Sequence, residues 1–303
     1  MQFKRIKRPI SGVLLLDKPV GFSSNQALQQ VKRLYQAAKA GHTGTLDPFA
    51  TGLLPICFGE ATKFSHFLLD ADKTYRATMR LGVTTTTGDT EGEVLATAAV
   101  DVSREQVEKV LQRFTGDILQ VPPMYSALKH QGKALYEYAR EGVEIERAAR
   151  AVTIRRIDLE EISEQSVVIR VACSKGTYIR TLAEDIGKAL GCGAHLTQLR
   201  RLETGGFSLE HAVTTEQLEQ LSVEQRDAVL QSPDVLVRDF PAVTLDQDSA
   251  YYLGRGQAVW KSGLIPQGWL RLYEESGRFL GLGELDADGK VAPRRLVVSE
   301  KIS

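Results

Sequence analysis

The stretch "KTYRATMRLG" (73–82) constrains the fold more than any other part of the chain. It alternates strictly. Tyr75, Ala77, Met79 and Leu81 fall on one side of an extended backbone, and Thr74, Arg76, Thr78 and Arg80 on the other. Successive side chains of a strand point to opposite faces, so the segment reads as a half-buried strand with a basic outer face. The protein must therefore contain a sheet with at least one covered face.

The neighbouring segments supply the rest. "GVLLLDKPVGFSS" (12–24) opens with an apolar run that reads as a buried strand, ended by Lys18-Pro19 and Gly21. Ser24 is expected to cap a helix over "NQALQQVKRLYQAAKAG", with Leu28, Val31, Tyr35 and Ala38 on one face and Gly41 as its stop. "LLPICFG" (53–59) reads as a strand, "EATKFSHFLLD" as a short helix and "TTTTGDTEGE" (84–93) as a loop. Ser103-x-x-Gln106 is a capping box opening the helix "REQVEKVLQRF". "VVIRVAC" (167–173) alternates as a strand. "SKGTYIRTLAEDIGKALG" turns into a helix that buries Ile179, Leu182, Ile186 and Ala189 and stops at Gly191. Strands and helices follow one another without a regular βαβ repeat. The expected class is α+β, a mixed and mainly antiparallel sheet with flanking helices. Residues 117–150 hold a Pro-Pro break and several basic and aromatic side chains, which suggests an inserted arm. After about residue 240, short strand-like pieces ("VWKSG", "WLRLYE", "FLGLGELD", "RRLVV") are punctuated by Gly, Asp and Pro. A small all-β module is expected there, giving domains at 1–240 and 241–303.

Composition bounds the function. The chain has 303 residues, 43% of them hydrophobic, which is ample for a packed core. No apolar run approaches the about 18 residues of a membrane span, and the basic N-terminus precedes no apolar leader core. Cys57, Cys173 and Cys192 are far apart and form no C-x-x-C pair, so neither a disulfide framework nor a zinc site is expected. A cytoplasmic, reduced, metal-free protein is the simplest expectation. Net charge is zero, yet residues 1–80 hold 12 Lys/Arg against 5 Asp/Glu. That suits a polyanionic partner, and equally an ordinary basic surface.

The oddest segment lies in this basic part. "GHTGTLDPFATGLLP" (41–55) places one carboxylate, Asp47, in a loop framed by glycines and prolines. An Asp-Pro in a loop is most often a turn former. Here Gly41, Gly44 and Gly52 permit close backbone approach, and Pro48 and Pro55 stiffen the frame. The loop offers no second carboxylate and no metal ligands, so Asp47 suits a nucleophile or an electrostatic anchor better than a paired acid and base. His42 reads as a helix-end histidine or as a group beside a substrate. Tyr75 reads as core packing whose phenol needs a partner. Arg180 sits near the start of its helix, against the dipole, and must meet an anion. Lys18 reads as a surface lysine in a turn.

Together these segments, with "VPPMYSALKHQGKALYEYAREG" and "CSKGTYIRTLAEDIG" in the same order, resemble the bacterial tRNA pseudouridine-55 synthase (TruB) family. The resemblance covers the first domain almost end to end, and residues 241–303 fit that family's PUA-type RNA-binding module more loosely. It implies isomerisation of uridine 55 in the tRNA T loop, with no cofactor and no metal. It implies roles as well. Asp47 is the catalytic aspartate, Tyr75 stacks on the target uracil, and Arg180 ion-pairs with Asp47. Tyr178 and Leu199 line the uracil pocket, and His42 fills the gap left by the flipped nucleotide. Lys18-Pro19 support the active-site loop, and Lys18 counts with the substrate-binding residues. Residues 125–150 form the RNA-clamping arm. The partner implied is tRNA. A monomer is expected, since no heptad or exposed apolar stripe in the sequence suggests a partner chain. Three roles stay open for Asp47: addition at uracil C6, attack at ribose C1′, or removal of a C2′ proton. Two other readings share these segments: an RNA-folding chaperone without catalysis, which would not need Asp47 with Arg180, and the catalytic subunit of an RNA-guided synthase.

Overall fold

A computed structural model describes residues 7–264 and 268–298. The stretch 1–6, part of the basic N-terminus read above as no leader, lies outside them. The strand Lys73–Leu81 stands at the centre of the main sheet. The spatial order is Gly12–Lys18, Thr51–Phe58, Ala194–Thr204, Lys73–Leu81, Ser166–Cys173, Arg150–Ile162, Gly116–Gln120. Every pairing in this sheet is antiparallel except one, between Thr51–Phe58 and Ala194–Thr204, in register at Arg200↔Thr51 and Arg201↔Gly52. The mixed, mainly antiparallel α+β expectation holds.

Burial explains the two kinds of strand sequence. Ala77, Met79 and Leu81 face the main core with Val167, Ile169 and Val171 and with the helices Ser24–Leu34, Arg104–Arg113 and Ile179–Leu190. The other side of the central strand is open, so its sequence alternates. The strands Gly12–Lys18 and Thr51–Phe58 are covered on both faces. Leu14, Leu16, Leu54 and Ile56 point into the main core, whereas Val13, Leu15, Leu53 and Cys57 point into a second one. Continuous apolar runs are the expected sequence for strands buried twice. The second core is completed by Phe64, Leu68, Leu236 and Val237 and, from the C-terminal module, Phe279 and Leu282.

That module is a five-stranded sheet, as expected, with its own small core around Leu245, Leu253, Leu272 and Val291. It also carries a helix, Gln247–Gly254, capped by Asp246, which the strand-like texture did not announce. Lys63 donates to the carbonyl of Leu296 (2.8 Å), so polar contacts join the module to the body alongside the apolar ones.

Some local readings shift. The cap of the first helix is Ser23, in a capping box with Gln26, and not Ser24. That helix ends at Leu34, with Gln36 at positive φ, so Ala38 is exposed and Gly41 belongs to the short strand Ala40–His42. Residues 83–97 form a hairpin around a loop rather than a loop alone. The capping box at Ser103 and the left-handed stop at Gly191 are where the sequence put them.

Candidate active site

The parallel pairing of Thr51–Phe58 with Ala194–Thr204 sets the site. It needs two backbones in close contact, and Gly52 (φ +102°) allows this. A Cβ there would lie 2.3 Å from the carbonyl oxygen of Arg201. The contact brings Arg201 under the 41–55 loop. Its guanidinium, 1% exposed as a residue, donates to the carbonyls of Leu53 (2.7 Å) and Gly44 (3.2 Å). Two further groups tie the loop down. Ser24, freed from capping, donates its hydroxyl to the Leu46 carbonyl (3.0 Å) and accepts from the Leu46 N–H (2.7 Å). Lys18 is fully buried and donates to the carbonyls of Pro19 (2.9 Å) and Phe22 (2.6 Å), with Pro48 at 3.5 Å.

Lys18 is therefore no surface lysine, and it does not border the cavity that holds Asp47. Its ammonium is taken up by backbone carbonyls, which suits the expected support of the active-site loop. Burial brings that ammonium down to about 8, with Asp47 opposing the fall.

Asp47 stands at the wall of a cavity of about 270 Å³ lined by Tyr75, Tyr178, Arg180, Leu199, Arg201 and Lys73, among others. Arg180, on the helix Ile179–Leu190, places its Nε 3.0 Å from Asp47 Oδ2. Its remaining donors reach the carbonyls of Thr87 (3.1 Å) and Tyr125 (2.6 Å) and, at 3.5 Å, Oδ2 of Asp89. The anion demanded by an arginine at a helix N-terminus is thus present twice. Asp89 is almost wholly buried, and its Oδ1 accepts from the Thr87 hydroxyl (2.5 Å) and the Glu91 N–H (2.9 Å). The loop itself holds no second carboxylate, but the fold brings one to it. Burial pushes the Asp47 carboxyl above the ordinary range; Arg180 opposes this and Asp89 adds to it. The carboxylate keeps 34% of its surface open, and Oδ1 has no donor among the described residues.

The other expected residues gather here as well. Tyr75 and Arg201 are directly opposite across the central pairing, and Leu199 is opposite Ala77. Burial raises the phenol of Tyr75, and Arg201 beside it works against that. Tyr178 is the N-cap residue of the helix bearing Arg180. His42 opens into an adjoining cleft of about 930 Å³ that shares Asp47, Tyr125 and Arg180 with the first. His42 is a strand residue, not a helix-end one. Its buried Nδ1 has no partner among the described residues, and burial lowers its pKa. Tyr136 and Arg140, from the expected arm, also line this cleft.

Three lining or supporting residues escaped the sequence reading. Lys73 lies two positions before Tyr75, so the alternation that marked Tyr75 also points Lys73 inward. It is buried, donates to the carbonyls of Leu69 (2.8 Å) and Ala71 (2.5 Å), and is brought down to about 8 by burial. Arg200 and Arg201 are adjacent in a strand, and one of two such neighbours must face inward. Asp89 gave no signal, since a carboxylate among threonines and glycines reads as solvated.

This architecture has known counterparts. Residues 32–179 match the TruB family pseudouridylate synthase N-terminal domain, 180–239 the tRNA pseudouridylate synthase B C-terminal domain, and 241–297 the pseudouridine synthase II TruB C-terminal domain. A tRNA pseudouridine synthase B of Methylobacillus flagellatus is 68% identical over 98% of this chain and 98% of its own. One of Pseudomonas aeruginosa is 55% identical over 98% and 99%. Among solved structures, a chain of an H/ACA RNP bound to a substrate RNA superposes with a TM-score of 0.70 at 25% identity, covering 96% of this chain and 86% of that one. Near-complete coverage by such relatives, on a fold that brings Asp47, Tyr75, Tyr178, Arg180 and Leu199 to one cavity, shows that the chain belongs to the TruB family of pseudouridylate synthases.

Proposed function

We propose that the chain converts uridine 55 of the tRNA T loop to pseudouridine, with Asp47 as the reacting carboxylate. Isomerisation of a tRNA uridine is the activity of its family. The reaction breaks the bond from ribose C1′ to uracil N1, turns the base, and joins C1′ to C5. The C5 proton leaves and N1 gains one, so nothing is added or lost overall. The observation that carries the reading is the pose of Asp47. One oxygen is fixed by Arg180 at 3.0 Å, and the residue lines a cavity together with Tyr75 and Leu199.

The family resemblance assigns the roles, and the geometry accommodates them. Arg180 keeps Asp47 ionised at working pH against the pull of burial. Tyr75 offers a ring for the extruded base, and base–aromatic stacking contributes roughly 1–3 kcal/mol. His42, in the adjoining cleft, occupies the space the base vacates. Tyr178 and Leu199 complete the pocket. Residues 125–150 clamp the stem-loop, and residues 241–303 form a separate RNA-contacting module. The basic side chains expected to hold phosphate are partly taken up inside the protein. Lys18 and Lys73 are buried, Arg8 pairs with Asp227, and Lys63 with Glu60. Among the described residues no helix is long and apolar enough to cross a membrane. We place the protein in the cytoplasm as a monomer, with three unpaired, buried cysteines.

A stand-alone enzyme is favoured over an RNA-guided subunit by identity. The tRNA synthases match at 55–68%, and the H/ACA and Cbf5 chains at 25–27%. The test is to incubate the purified chain alone with a T stem-loop RNA and map the product. Pseudouridine at position 55 alone is expected. Product only after a guide RNA or second protein is added would favour the RNA-guided reading, and binding without product the chaperone.

A further inference from the structure

The residue just before the arm makes an unusual contact. Gln120 ends the edge strand Gly116–Gln120 and is 2% exposed. Its carboxamide meets the backbone of Tyr178 in both directions. Nε2 donates to the Tyr178 carbonyl (3.2 Å), and Oε1 accepts from the Tyr178 N–H (3.0 Å). Tyr178 is the N-cap of the helix whose second residue is Arg180, and no side chain of its own caps that helix. Five residues after Gln120, the carbonyl of Tyr125 accepts from Arg180 Nη2 (2.6 Å). Three hydrogen bonds therefore stitch the root of the arm to the helix start that aims Arg180 at Asp47. Two of them come from one side chain. A carboxamide supplies the donor and the acceptor side by side, which matches the N–H and C=O of one backbone residue.

We propose that Gln120 is a positioning residue for the isomerisation: it locks the arm root to the Tyr178–Arg180 helix start, so that the seating of the arm on RNA fixes the Asp47–Arg180 geometry. The inference rests on the reading of Asp47 as the reacting group. Gln120 lies outside the lining of both cavities. Its loss should therefore slow the chemical step and leave the grip on RNA largely intact. Misplacing a catalytic group by about 1 Å can cost on the order of a hundredfold.

The test is single-turnover isomerisation of a T stem-loop, with RNA affinity measured in parallel. Gln120→Met keeps the shape and removes both bonds, whereas Gln120→Glu keeps the acceptor and loses the donor. The rate constant should fall about ten- to a hundredfold in the first variant and by an intermediate factor in the second. RNA affinity should change by less than about threefold, and Gln120→Met should add little once Arg180 is Lys, because coupled residues are not additive. Full rates in both variants, equal losses of rate and affinity, or full additivity with Arg180→Lys would each overturn the proposal. If Gln120→Met does not fold, the intermediate rate of Gln120→Glu decides. Asp47→Asn run alongside separates the two levels. An active Asp47→Asn removes the underlying reading, whereas an inactive one with unaffected Gln120 variants removes only this inference.

Discussion

Two arginines in this protein each meet two carboxylates. Arg180 faces Asp47 at 3.0 Å and Asp89 at 3.5 Å. Arg76, on the open side of the central strand, faces Glu160 and Glu161, both at 2.7 Å. By distance alone the second cluster is the tighter. Burial separates them. The Arg180 side chain is 5% exposed and Asp89 2%, whereas Arg76 keeps 35% and Glu161 68%. In water the Arg76 cluster contributes at most about 1 kcal/mol. The Arg180 cluster has lost most of its solvent, so removing the arginine would leave two carboxylates uncompensated. Burial, with Asp89 adding to it, pushes Asp47 above the ordinary carboxylate range, whereas Glu160 of the surface cluster is held below it.

The contrast orders the expected effects. Arg180→Met should be the most damaging. Stability should fall by about 3–5 kcal/mol in chemical denaturation, since two carboxylates lose their cation. The single-turnover rate should drop by about a thousandfold. Asp89→Asn should slow the reaction by roughly ten- to a hundredfold, and it should also move the pH profile. Asp47 is raised above its ordinary 3.8 partly by Asp89, so the intact protein should lose activity on the acid side at a higher pH than an unperturbed aspartate would. Removing the Asp89 charge should shift that limb to lower pH; a shift upward would contradict the account. Ser24→Ala orphans both polar groups of Leu46 and should cost about 1–3 kcal/mol of stability, visible as a lower melting temperature. Arg76→Ala should stay within about 1 kcal/mol and leave the rate unchanged.

Much of this arrangement was legible in the chain, for reasons that differ by residue. Asp47 stood out because glycines and prolines framed it, and Arg180 because it opposed its helix dipole. Both are local anomalies. The central strand was legible because one covered face imposes a period of two. The Ser23 cap is legible too, since Ser23-x-x-Gln26 has the capping-box spacing that the adjacent Ser24 lacks. The buried partners were harder. Asp89, Arg201 and Gln120 are ordinary polar residues until strands distant in sequence enclose them. Asp89 is 42 positions from Asp47, and nothing near it signals burial. The helix Gln247–Gly254 was missed because "DQDSAYYLG" carries only two buried side chains, Ala250 and Leu253.

The most direct test of the central claim is release of tritium from C5 of uridine in a T stem-loop RNA, comparing the intact protein with Asp47→Asn. Folding should not confuse it. A carboxyl raised by the fold favours its protonated form, so its stabilising contribution is present at acid pH and lost as pH rises through the folded value. A neutral Asn at position 47 should therefore be as stable as Asp at neutral pH, or more so. The account predicts stoichiometric release at one uridine by the intact protein, and no release by a folded Asp47→Asn variant that binds the RNA equally well. Release by that variant at an undiminished rate would contradict it.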